Sequence, residues 1–313
     1  MCALTRFPVI VGPTAGGKTS LAVALAHRLN QDGHGPAEVV SADSMQVFSG
    51  MDIGTAKPTP EERAGIPHHL IDVVEPTDPF SVDRWLELAE AALADIRHRS
   101  GCPIVVGGTH LYAKAFLEGL FQGPGADPHI RAELAALTPE ARRAELEQVD
   151  PDAAARIHPN DDRRTIRALE VHRLTGIPIS SHQRQWDAGR VREDALLIGL
   201  TWSTAAINAR INTRVRAMVA QGLFEEVEGL RKAGRLGPQA AAALGYHQVL
   251  PALEGTTSRA DATEQIKIET RRFAKNQRTW LRRLRTTPGS LWLEPEHTSL
   301  DEMVQVIVNK LVT

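Results

Sequence analysis

The segment GPTAGGKT, Gly12 to Thr19, restricts the folds open to this chain more than any other stretch. It matches G-x-x-x-x-G-K-[ST], and a short apolar run, Phe7 to Val11, leads straight into it. Behind it, Lys18 to Leu29 places Leu21, Leu25 and Leu29 on one helical face. Strand, glycine loop and helix in that order form an anion cradle. Gly12, Gly16 and Gly17 let the backbone wrap around a phosphate, and Pro13, Thr14 and Ala15 complete the loop. Backbone N–H groups and the helix N-terminus then point at the anion. Lys18 adds a point charge, and Thr19 offers a hydroxyl to a Mg²⁺ ion. The plainer reading, a glycine-rich turn without a ligand, leaves the flanking strand and helix unexplained.

The pattern beyond the loop predicts an α/β fold. Glu38 to Ser41 and Pro103 to Val106 are further strand candidates, apolar almost throughout. Ser81 is a plausible N-cap for a helix with Trp85, Leu88, Ala89, Ala92, Leu93 and Ile96 on its buried face, stopped by Gly101. Such strands separated by helices indicate a parallel sheet covered on both faces, as in P-loop NTPases. The middle differs: residues 127–194 are rich in Ala, Arg and Glu with few strand signals, so a helical insertion domain is expected there. Strand signals return at Ala195 to Leu200 and Leu291 to Leu293, which assigns 1–126 and 195–313 to the core. Ser299 with Glu302 fits a capping box for a last helix.

Composition excludes several classes. A hydrophobic share of 42% supports a buried core, and a charged share of 24% is ordinary for soluble chains. The two cysteines, Cys2 and Cys102, form neither a disulfide framework nor a zinc pattern, which favours a reducing, cytoplasmic setting. The N-terminus lacks the features of a signal peptide, and no run reaches the ~18 apolar residues of a membrane span. No exposed heptad seam calls for a dimer, so a monomer is expected.

The loop alone does not name its ligand. An ATP-driven kinase or NTPase is the default, yet such enzymes tend to carry a metal-binding acid at the end of a neighbouring strand. Ile104 to Val106 ends instead in GGTH.

Together with SADSMQVFSGMDIGTAKP (Ser41 to Pro58), PHHLIDVVEP (Pro67 to Pro76), FSVDRW (Phe80 to Trp85) and PIVVGGTHLY (Pro103 to Tyr112), the loop resembles the tRNA dimethylallyltransferase, or tRNA isopentenyltransferase, family. RRTIRALEVHRLTG (Arg163 to Gly176), MVAQGLFEEV (Met218 to Val227), ALGYHQ (Ala243 to Gln248) and TRRFAKNQRTWLR (Thr270 to Arg282) extend that resemblance over nearly the whole chain. It implies transfer of a dimethylallyl group from dimethylallyl diphosphate to N6 of adenosine 37, beside the tRNA anticodon, with Mg²⁺ assisting. The loop would then hold the donor's diphosphate rather than ATP. Asp43 is the implied carboxylate that orients N6 and takes its proton; on residue type alone a turn-capping Asp is the simpler reading. An Arg in the region of Arg210 and Arg214, which share a helix face, is implied to neutralise diphosphate; Arg214 is preferred and Arg210 is the fallback.

Charge clustering fits an RNA partner despite a net charge of −2. Arg271 to Arg285 holds seven basic residues and no acidic one, with Phe273 and Trp280 among them. The expectation is that the basic side faces RNA while Phe273, Trp280 and Leu284 face the core. The resemblance implies tRNA contact by Asp43, Ser44, Met45 and Gln46, by Thr109 and Arg131, and by Arg163, Arg164, Thr165, Ile166 and Arg167. It implies the same for Gly245, Tyr246 and His247, and for Lys275, Gln277, Arg278, Trp280 and Arg282. The target adenine is expected to be flipped out of the anticodon loop, approaching the reaction centre from the end opposite the donor. Departures from the family pattern are His110 in GGTH, His247 in LGYHQ, Phe48 where Tyr is frequent, and AGG in the loop. Competing readings are a small-molecule kinase, a transferase acting on free adenine nucleotide, and a non-catalytic RNA-binding protein.

Overall fold

The computed structural model describes residues 4–119, 123–183 and 192–312. They divide into two compact units, one formed by the chain up to Lys114 and from Arg192 onward, the other by Ala115 to Val191.

The first unit opens with β1 (Phe7–Val11), α1 (Lys18–Gln31), β2 (Ala37–Ser41), α2 (Pro60–Arg63), β3 (His68–His69), α3 (Val82–His98) and β4 (Cys102–Gly107), and α4 (His110–Glu118) runs from it into the second. The second unit holds α5 (Pro128–Ala136), α6 (Pro139–Val149), α7 (Pro151–Arg156), α8 (Asp162–Thr175) and α9 (Ile179–Gln183). The chain then returns to the first unit with β5 (Ala195–Leu200), α10 (Thr204–Ala220), α11 (Leu223–Lys232), α12 (Pro238–Ala241) and α13 (Tyr246–Leu253). It ends with α14 (Arg259–Leu284), β6 (Leu291–Leu293) and α15 (Leu300–Val312).

The strands form one parallel sheet of six, ordered β3-β2-β4-β1-β5-β6. Ile10, Val39, Ile104 and Ile198 pack on one face with Leu21, Leu25 and Leu29 of α1 and Val304 and Ile307 of α15. Their strand neighbours Val9, Val40, Val105 and Leu197 therefore point to the other face, and they are buried as well. Apolar residues at consecutive positions are thus the signature of strands covered on both sides. Short β3 at the sheet edge carries no such signature; its two residues are half-buried histidines.

Local signals set the helix starts. Ser81 accepts the N–H of Arg84 to cap α3, and Ser299 with Glu302 forms a capping box at α15. In the second unit, Asp127, Thr138 and Asp150 cap helices whose first residues are Pro128, Pro139 and Pro151. Proline at that position gives up an N–H that no helix would bond. Leu134, Leu146, Leu169 and Val171 form that unit's own core. The boundary between the units lies inside α4, where no change of composition marks it. No described helix is long and apolar enough to cross a membrane.

Candidate active site

Because the sheet is parallel, the C-terminal ends of β1, β2, β4 and β5 open on one edge, where α/β proteins collect their ligands. From β1 the chain enters the glycine loop. Ala15 (φ 58°) and Gly17 (φ 82°) take left-handed backbone there, Gly17 just before α1 starts. The loop is pinned from outside: Trp202, just beyond β5, donates Nε1 to the Gly16 carbonyl at 3.1 Å.

From β2 the chain reaches Asp43. Its Oδ1 accepts the N–H groups of Met45 (2.9 Å) and Gln46 (3.3 Å), so this carboxylate does cap a turn. It also lines a cavity of about 320 Å³, shared with Thr14, Lys18, Thr19, Thr109 and Arg214. One oxygen thus fixes the side chain while the group faces the cavity. Thr109, beyond β4, accepts the Ser44 N–H at 3.0 Å and ties the two strand ends together. Fully buried Trp85 supports this corner, donating Nε1 to the Ser41 carbonyl (2.9 Å) and stacking on Tyr112 with centroids 4.7 Å apart. The helical pattern marks Trp85 only as a core residue; the signal for its further role is the indole N–H, which needs a partner when buried.

Two cations meet at the loop. Lys18 donates Nζ to the Pro13 carbonyl at 2.9 Å. Arg214 makes a long contact to Thr14 Oγ1, 3.5 Å. Among the described residues neither forms an ion pair with a carboxylate. Burial, and then the Arg214 charge, push the Lys18 ammonium down to about 8 against the opposing pull of Asp43. Burial likewise lowers Arg214. Arg210 is spent differently. It donates Nε to the Ala15 carbonyl at 2.7 Å and lies over the Trp202 ring at 4.7 Å, holding the loop's outer side. Lys18, Thr19 and Arg214 also border a second, larger space of about 1090 Å³, so they stand where the two cavities meet.

Among the described residues no three His, Cys, Asp or Glu side chains come together as a metal cage. The Thr19 hydroxyl does line the cavity at the mouth of the glycine loop, where substrate phosphates would add further oxygen ligands. That donor set suits Mg²⁺, which keeps several waters and takes few protein ligands besides substrate phosphates.

The remaining expected RNA contacts sort by exposure. Lys275, Arg282 and His247 are exposed, and Arg278 is half-buried with Nη1 on Thr204 Oγ1 (2.9 Å). Trp280 is half-buried beside His110, with centroids 5.8 Å apart. Phe273 corrects the sequence reading: it is 42% exposed and lines the cavity instead of facing the core, whereas Leu284 is buried as expected. Tyr246 is fully buried, and Gln277 is 4% exposed with both ends of its amide engaged within the protein. Tyr246 is thus enclosed by protein, whereas Gln277 still borders the cavity. Gly245 is buried but borders the cavity.

Within the second unit, Arg163 and Arg164 are exposed, while Thr165 is 3% exposed and so withdrawn from the surface. Ile166 packs against that unit's core. Arg131 and Arg167 both bind the fully buried Glu170, at 2.8 and 2.6 Å. Burial opposes the Glu170 charge, but the two arginines outweigh it and hold the carboxyl below its usual range. Phe48, where the family often has Tyr, is fully buried, a place that suits a ring without a hydroxyl.

Residues 46–284 match the family model described as IPP transferase, and residues 5–72 match isopentenyl transferase. This chain belongs to the IPP transferase family. Among its IPP transferase relatives, the tRNA dimethylallyltransferase of Geobacillus thermodenitrificans is 43% identical, over 98% of this chain and 97% of its own. That of Kineococcus radiotolerans is 46% identical, over 91% and 89%. Solved IPP transferase structures agree. The tRNA isopentenylpyrophosphate transferase of Bacillus halodurans superposes with a TM-score of 0.70 at 39% identity, covering 98% of this chain and 97% of the other. A eukaryotic dimethylallyltransferase acting on tRNA superposes at 0.81 with 28% identity, covering 97% of this chain and 77% of the other. The parallel sheet and glycine loop are thus the P-loop NTPase-like fold of these enzymes.

Proposed function

We propose that this chain is a tRNA dimethylallyltransferase that moves the dimethylallyl group of dimethylallyl diphosphate to N6 of adenosine 37. The observation that carries the reading is the pair Lys18 and Arg214: two desolvated cations, without carboxylate partners among the described residues, on the same cavity wall as Asp43. Positive charge that burial disfavours and that no ion pair among the described residues takes up, next to a glycine loop, suits a polyanion.

The chemistry follows from charge. As the allylic C1–O bond breaks, the electron pair leaves with the diphosphate and C1 gains carbocation character. Loop N–H groups, Lys18 and Arg214 stabilise the leaving group as its charge grows. N6 attacks C1, and the Asp43 carboxylate accepts the N6 proton. A Mg²⁺ ion held by the Thr19 hydroxyl and the diphosphate oxygens would supply Lewis-acid stabilisation of the leaving group. The two cavities meeting at Lys18, Thr19 and Arg214 support entry of donor and adenine from opposite sides. Phe273 and the exposed Lys275 and Arg282 give α14 a stacking surface and phosphate contacts for RNA.

The test is incubation with labelled dimethylallyl diphosphate, Mg²⁺ and unmodified tRNA. Label on a tRNA adenine is expected. Label only on free nucleotide, or ATP hydrolysis without prenyl transfer, rejects the reading.

A further inference from the structure

Gln277 links the basic helix to the phosphate loop. Its Oε1 accepts the Thr14 N–H at 2.8 Å, and its Nε2 donates to the Gly108 carbonyl at 2.8 Å. One buried amide therefore spans the loops that follow β1 and β4. The geometry is confirmed from the far side by Gly108. A Cβ there would sit 2.7 Å from Gln277 Nε2 and 3.4 Å from both the Gly12 carbonyl and Lys18 Nζ. Glycine at 108 is what lets the amide in.

We infer that Gln277 is a positioning residue that clamps the phosphate loop from α14, so that the grip on the donor's diphosphate depends on how that helix is seated. Thr14 sits between Pro13, whose carbonyl holds Lys18 Nζ, and the side-chain contact to Arg214. Fixing the Thr14 backbone therefore bears on the Pro13 carbonyl that holds Lys18 Nζ and on the hydroxyl that Arg214 contacts. Thr270, Phe273 and Gln277 follow one another at helical spacing and line the same cavity. Lys275 and Arg282, on the same helix, are exposed. An RNA held by these residues bears on the helix whose amide holds the loop. Such coupling is reciprocal: RNA tightens the donor site, and donor tightens RNA, by the same factor. The inference rests on the RNA-facing role proposed for α14.

The test uses Gln277→Met, which keeps length but loses both hydrogen bonds, and Gly108→Ala, which displaces the amide from the other side. For each, the Kd of dimethylallyl diphosphate with Mg²⁺ is measured without and with an anticodon stem-loop RNA, alongside the RNA Kd without donor. Donor binding without RNA is expected to weaken about tenfold, equivalent to about 1.4 kcal/mol. RNA binding without donor should change less than about twofold, and the RNA-dependent gain in donor affinity should shrink toward unity. Loss confined to RNA affinity would make Gln277 a nucleotide contact and overturn the inference, as would unchanged donor binding. In the unaltered protein, amide exchange at Thr14 should slow when the stem-loop alone binds; no change there also overturns it, whatever the variants do. If the unaltered protein binds neither donor nor RNA, the functional reading fails first. If it binds both and Gln277→Met binds donor normally, the clamp alone fails.

Discussion

Tyr246 donates its hydroxyl to Glu226 at 2.5 Å, while the same carboxylate accepts the backbone N–H groups of Asp52 (2.9 Å), Ile53 (2.7 Å) and Gly54 (3.0 Å). Gly54 lines the cavity, so one side chain on α11 holds a piece of its wall. Gly54 admits no Cβ, which would lie 2.3 Å from the Tyr246 ring. Glu226→Gln swaps a charged acceptor for a neutral one and turns an amide N–H₂ toward backbone donors. It should cost about 2 kcal/mol, and Tyr246→Phe about 1 kcal/mol. Urea unfolding midpoints check both, and an unshifted midpoint for Glu226→Gln rejects the clasp.

Asp43→Asn is the more informative change at the proposed base. The amide oxygen keeps an acceptor for Met45 and Gln46, so the turn survives while the proton acceptor is lost. Single-turnover rates should fall by about a hundredfold or more, with RNA affinity nearly unchanged. A rate within a few fold of the unaltered enzyme would remove Asp43 from proton transfer.

Arg214 and Arg210 should separate cleanly. Arg214→Ala removes a cation that has no carboxylate partner among the described residues and should weaken pyrophosphate binding at least about tenfold. Arg210→Ala removes a strut on the Ala15 carbonyl and the Trp202 ring, and should affect binding less. Equal losses, measured by calorimetry, would contradict the division of roles.

Lys18 gives a pH dependence with two opposite signs. Folding lowers its pKa from 10.5 to about 8, so between those values the unfolded chain binds more protons. The stability of the ligand-free protein should therefore rise with pH across that window, and Lys18→Met should flatten the rise. Donor binding needs the ammonium and should weaken as pH climbs through about 8, with proton uptake on binding. Calorimetry above pH 8 in buffers of different ionisation heat reads that uptake; its absence would show that Lys18 stays charged throughout.

The parts of this protein legible in the sequence are those set by local rules. The glycine loop, the apolar strands and the caps Ser81 and Ser299 each depend on neighbours in sequence, and each lies where pattern and spacing put it. Residues whose role comes from tertiary contact were harder. Gln277 sits within a basic motif that implies RNA contact, and nothing in that motif shows its hydrogen-bond partners 263 and 169 residues away. Phe273 looked like a core aromatic because residue type carries no information about which helix face meets a cavity. Arg210 and Arg214 share a face, and only the positions of Ala15 and Trp202 tell them apart.

The desolvated Lys18 and Arg214 have a consequence for the end of the cycle as well as its start. A cradle that stabilises growing charge on a leaving group holds the departed group more firmly than it held the donor, which spreads less charge over the same oxygens. The by-product is then a tenant slow to vacate. Free diphosphate should compete directly with the donor, with an inhibition constant at or below the donor KM, and turnover should quicken when an added hydrolase destroys it.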